Sequence, residues 1–167
     1  MYEVVVLAER SLADVDARVL ADLYRDTPEP THVHLLLPMD EVEGRVEALL
    51  SLLSSGRSEH EAAPPVRPES VTADKTRQRE VLAQEVQAEL HRSLDRLRSH
   101  GLDADGETVP HEPIDALTSV VATRGSNEVV IMTRTHIVAE TLHRDWTSEA
   151  RRALGVPVLH LLEQAES

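Results

Sequence analysis

The chain has 167 residues, with 30 acidic and 17 basic side chains and a formal net charge of −13. A surface this negative repels phosphate backbones, and 2% aromatic content without a single Phe offers no base-stacking platform, so nucleic-acid binding is disfavoured. The absence of Cys excludes disulfides, thiolate metal sites and a cysteine nucleophile, and no apolar run approaches the ~20 residues of a membrane span.

The length suits one domain. Tyr2 to Ala8 is a β-branched run that suits a strand buried on both faces, as in a parallel sheet. The run follows Met1 with no basic stretch, so no signal peptide is read and a cytoplasmic location is expected. Glu9-Arg10-Ser11 forms a polar turn, with Ser11 as the expected N-cap of a helix from Leu12 to Tyr24. Leu12, Val15, Val19, Leu20 and Leu23 are its expected inward face. Pro28 and Pro30 break the helix, and Thr31 to Leu37 is a second strand stopped by Pro38.

Asp40 to Leu53 is a second helical stretch. Residues 54–74 hold Gly56, Pro64, Pro65 and Pro68 and read as an irregular excursion. Lys75 to Ser99 is the clearest helix, with Leu82, Val86, Leu90, Leu94 and Leu97 in one stripe and Gly101 placed to stop it. Leu102 to Val109 is a polar strand suited to a sheet edge. His111-Glu112-Pro113 opens a helix to Thr123, with Ile114, Leu117, Val120 and Val121 inward. Glu128 to Met132 is the fourth strand, Ile137 to Leu154 a further helix, and Pro157 to Leu162 the fifth strand. The alternation argues an α/β domain, an open parallel sheet with helices on both faces.

Several stretches, in this order, resemble the universal stress protein family. They are the long helix ending at Gly101, the edge strand, the His111-Glu112-Pro113 helix start, Glu128-Val-Val-Ile-Met-Thr133 and Val156-Pro-Val-Leu-His-Leu161. The resemblance covers all but the excursion. It implies a single domain, a three-layer α/β/α sandwich around a five-stranded parallel sheet in the order 3-2-1-4-5, with a ligand crevice where strands one and four end. It also implies a homodimer paired across the last strand, Pro157 to Leu162, an apolar edge otherwise exposed.

Many members of that family bind ATP through a Gly-x2-Gly-x9-Gly-Ser/Thr loop, whose backbone N–H groups approach phosphate with no Cβ in the way. Here Thr133 and His136 stand at the first two glycine positions, and Trp146 and Thr147 at the last pair; counting back from Pro157 shifts the register by about two residues, but no Gly occurs between Gly125 and Gly155. The aspartate that ends the family's first strand is absent or replaced by Glu9. Family-type ATP binding is therefore not expected and no cofactor is assigned, with ATP or another adenine nucleotide as the lesser alternative.

Glu9, Arg10, Ser11, Thr133, Arg134 and His136 are the candidate crevice residues. Arg and hydroxyl side chains at a switch point can hold an anion. The same residues also fit a vestigial crevice lined by solvated loop side chains. His32 and His34 share a strand face, but no third ligand is legible, and no metal is assigned. Ser126 lacks a nucleophile elbow, and no catalytic group is assigned. Trp146 is read as a core or interface anchor. Two functions follow: a regulatory or stress-response binding module, or a nucleotide-binding protein or enzyme with a phosphate site rebuilt from Arg10, Thr133 and Arg134.

Overall fold

The computed structural model describes residues 1–39, 68–109, 113–134 and 140–163. The helical stretch expected from Asp40, most of the excursion, His111 and His136 lie outside the described residues. The elements are β1 (Tyr2–Ala8), α1 (Asp14–Tyr24), β2 (Thr31–Pro38), α2 (Pro68–Ser99), β3 (Asp103–Val109), α3 (Pro113–Arg124), β4 (Glu128–Thr133), α4 (Glu140–Ala153) and β5 (Val158–Leu162).

The five strands form one parallel sheet in the order β3-β2-β1-β4-β5. Its centre is β1, where Leu7 lies opposite Leu36 on one side and Ile131 on the other. Val4, Val5, Val6, Leu7 and Ala8 are all fully buried, because their alternate side chains enter two separate apolar layers. Val4, Val6, Val33, Leu35 and Val130 pack with Ala17 and Leu20 of α1 and the Leu82–Leu97 stripe of α2. Val5, Leu7, Leu36, Val129 and Ile131 pack with Ile114, Leu117 and Val121 of α3 and with Trp146 and Ala150 of α4. This is the expected three-layer architecture. Its order reverses between β1 and β4, and their carboxyl ends are the place where open parallel sheets carry a ligand crevice.

Two helices differ from the sequence reading. In α1 the buried residues are Asp16, Ala17, Leu20 and Tyr24, while Val19 is 36% and Leu23 45% exposed. Polar anchors set this rotation. Asp16 Oδ2 accepts the Ala13 N–H at 3.1 Å, and the Tyr24 hydroxyl donates to Glu128 Oε2 at 3.1 Å. Ala13, not Ser11, is the N-cap residue, because Leu12 ahead of it is buried in the core and its N–H donates to Ser93 Oγ of α2 at 3.0 Å. The second difference is the start of α2 at Pro68, which makes residues 68–74 helical. Pro is tolerated in a first turn, and Pro64, Pro65 and Pro68 are what make this stretch read as irregular in the sequence.

The end of α2 follows the reading. Gly101 adopts a φ of 89°, its N–H bonds the Arg98 carbonyl at 3.0 Å, and the Leu102 N–H bonds that of Leu97 at 3.2 Å, a Schellman closure. At the outer edge, β3 comes so close to β2 that a Cβ on Gly106 would sit 2.4 Å from the Leu35 carbonyl oxygen. His32 and His34 do share a face of β2, and carboxylates engage both. His32 Nδ1 lies 3.0 Å from Glu3, and His34 Nδ1 contacts Asp105 at 2.5 Å. Arg124 closes this network by donating to Glu3 at 3.0 Å and Asp105 at 2.7 Å. Burial pushes the Asp105 carboxyl up, but the hydrogen bonds and charges of His34 and Arg124 outweigh it and hold the group below its ordinary value.

Candidate functional site at the ends of strands one and four

β1 and β4 run parallel and in register up to Ala8 and Met132, and the Glu9 N–H then donates to the Met132 carbonyl at 3.0 Å. This last backbone bond fixes Glu9 beside the exit of β4. The Arg134 backbone N–H donates to Glu9 Oε2 at 2.8 Å, and its side-chain Nε–H donates to Oε1 at 3.0 Å. Both oxygens of Glu9 are thus turned onto one residue. A carboxylate held by charged donors in this way makes a strong, oriented contact. Arg134 remains partly open to solvent, with 31% of its side chain exposed.

Arg10 points elsewhere. Its Nε donates to Glu163 Oε2 at 2.5 Å. Glu163 follows directly on β5, and its backbone N–H donates to the Thr133 carbonyl at 2.8 Å. The strand order therefore brings the ends of β1, β4 and β5 together, and two ion pairs join them. The Glu163 side chain is fully buried, and its Oε1 has no hydrogen-bond partner among the described residues. Burial pushes its carboxyl up from 4.5 to about 7; the Arg10 bond and charge oppose this, while the carboxylates of Glu9 and Asp16 add to it. Thr133, also buried, shares a 2.8 Å hydrogen bond with His160 Nε2 of β5. Ser11 lies half-buried in the turn between β1 and α1.

Of the residues expected at the crevice, Glu9, Arg10, Ser11, Thr133 and Arg134 lie at the carboxyl ends of β1 and β4. His136 is outside the described residues. The sequence reading missed Glu163 and Asp16. For Glu163 a signal existed: it is the first residue past the fifth apolar run, and Leu162 is in register with Thr133, so it must arrive at the same end of the sheet. Chemically, the site presents two reachable guanidinium groups, each held by a carboxylate. An anion entering here has to compete with Glu9 or Glu163 for an arginine.

No protein-family model matches the chain, and no curated protein matches it significantly. Solved structures do match. A universal stress protein family protein from Arabidopsis thaliana, solved with AMP bound, is 12% identical, with 99% of this chain and 94% of that one covered at a TM-score of 0.54. The universal stress protein from Archaeoglobus fulgidus is 16% identical, with 96% and 93% covered at a TM-score of 0.51. A universal stress protein in complex with cAMP is 12% identical, with 98% of each chain covered at a TM-score of 0.51. The sheet order, the helices on both faces and this near-complete coverage agree: the chain has the fold of the universal stress proteins.

Proposed function

We propose that this protein is a regulatory binding module of the universal stress type, whose crevice takes a compact anionic ligand, a nucleoside monophosphate or cyclic nucleotide, through arginine side chains. The observation that carries the reading is that Arg10 and Arg134 follow closely on the adjacent strands β1 and β4, each partly exposed and each oriented by a carboxylate. Guanidinium groups match phosphate oxygens with two parallel donors and need no close approach of the backbone. That matters here, because the stretch after β4 has no glycine until Gly155. Two proteins of the same fold carry AMP and cAMP in their solved structures, which supports an adenine nucleotide as the ligand class.

No catalytic step is assigned to the crevice, and a site of this kind differs from a triphosphate cradle. One phosphate can reach an arginine; the outer phosphates of ATP would need the backbone donors that glycines make accessible. The test is calorimetry with cAMP on the intact protein and on Arg134→Ala. Loss of one charge-assisted contact of about 1.5–3 kcal/mol predicts roughly 10- to 150-fold weaker binding in the variant. Equal affinity in the two proteins would remove Arg134 from the site, and absence of heat at millimolar cAMP and AMP would reject the reading.

A further inference from the structure

The proposed ligand has to compete for Arg10, and the competitor is a buried acid. We infer that the Arg10–Glu163 pair is a proton-sensitive latch: ionised Glu163 occupies Arg10, and uptake of a proton by Glu163 releases Arg10 to bind an anion at the crevice. The inference rests on the reading that the crevice takes an anion, and it adds the control of that site.

The geometry carries it in three parts. Arg10 Nε and Glu163 Oε2 are 2.5 Å apart, a charge-assisted contact that holds the guanidinium on the ionised carboxylate. Their exposures are unequal: the Glu163 side chain is fully buried, whereas 37% of that of Arg10 meets solvent. Arg10 can therefore turn outward to a ligand, and Glu163 cannot follow it. Finally, Glu163 Oε1 is buried without a partner among the described residues, so the ionised carboxylate is incompletely compensated where it sits.

The surrounding charges fit the same device. From the turn after β1, Glu9 faces Glu163 but is already bound to Arg134, and from α1 the Asp16 carboxylate accepts the Ala13 N–H. From α2, Arg96 is engaged by the Leu12 carbonyl. From β4, the Thr133 carbonyl accepts the Glu163 N–H, and on β5 itself His160 is turned to the Thr133 hydroxyl. Among the described residues Arg10 is the cation that holds Glu163, and two further carboxylates raise the cost of ionising it. The carboxyl is accordingly pushed up to about 7.

The experiment uses two probes of constant charge near neutrality, sulfate and cAMP, titrated calorimetrically into the protein from about pH 5.5 to about pH 8.5. For the wild type, affinity is expected to fall above pH 7 with a limiting slope of about tenfold per pH unit, since one proton is linked to binding. Glu163→Gln is expected to bind with no such slope, at about pH 8.5 as tightly as the wild type at about pH 5.5. Arg10→Gln is expected to bind weakly throughout. A second measurement needs no variant: the titration midpoint of the Glu163 carboxyl carbon, read by carbon-13 NMR, should move up when sulfate is added. An identical pH profile in wild type and Glu163→Gln, or a midpoint that sulfate leaves in place, overturns the latch. cAMP binding that ignores pH overturns the latch and leaves the proposed function standing. Sulfate binding with the expected slope but no nucleotide binding does the reverse, and no anion binding at any pH overturns both.

Discussion

At Glu163, burial and charge pull in opposite directions. Its folded carboxyl titrates near 7 and its ordinary value is 4.5, so between these the folded state holds a proton that the unfolded chain has lost. Stability contributed by this group is fully present below about pH 4.5, declines as pH rises, and levels off above about 7. At about 1.4 kcal/mol per pH unit the upper bound is about 3 kcal/mol. Glu163→Gln, which keeps the protonated shape, should be more stable than the wild type at about pH 8 and similar at about pH 4.5, measured by urea denaturation. A variant less stable at both values would mean that the ion pair outweighs burial. The placing of the polar turns at strand ends is legible in the sequence, because an α/β sheet fixes where such turns collect. Glu9, Arg10, Thr133 and Arg134 need only that rule. Glu163 and Asp16 are harder. The place of Glu163 just past the fifth apolar run brings it to the same end of the sheet, but nothing local marks either residue among 30 acids as buried; their burial arises from strands and helices far away in sequence.

Among the elements, α1 separates what a periodic pattern can say from what it cannot. The spacing of Val15, Val19 and Leu23 fits an inward stripe as well as the observed face does, and the polar anchors Asp16 and Tyr24 decide between them. A paired substitution measures the outcome. Leu20→Ala should cost about 2–5 kcal/mol, as buried leucines do, and Leu23→Ala within about 0.5 kcal/mol, both read from chemical denaturation. Similar losses at the two positions would restore the face expected from sequence. In α2 the stripe located the packed portion correctly, from Leu82 to Leu97, and gave no sign that residues 68–74 belong to the same helix. Gly106 marks a closer constraint. With Leu35 O only 2.4 Å from where its Cβ would be, Gly106→Ala must push β3 away from β2. A loss of about 1–3 kcal/mol is expected, and an unchanged denaturation midpoint would show that the edge strand yields freely.

For the whole molecule, the fold was largely legible. Alternating apolar strands and amphipathic helices fix a parallel sheet between helical layers, and the short-connection and handedness rules leave few topologies. The order β3-β2-β1-β4-β5 came from a resemblance carried by a few short motifs, and it is the order found. The strand β5 lies at the edge of that sheet, with Leu162 49% exposed and Val158, Leu159 and Leu161 only partly covered. We propose that a second copy pairs there. Size-exclusion with light scattering should give a dimer at micromolar concentration, and a monomer would contradict this. The overall charge of −13 repels an anionic ligand in general, so any anion site has to be local, and arginine is the residue type that can provide it against that field. The sharpest test is the ratio of ATP to AMP affinity in one calorimetric series at fixed salt and about pH 6.5. An arginine-built site for a single phosphate predicts AMP binding with ATP within about threefold of it, a difference under about 0.7 kcal/mol. ATP binding more than about tenfold tighter than AMP would show a working triphosphate cradle and contradict a single-phosphate site.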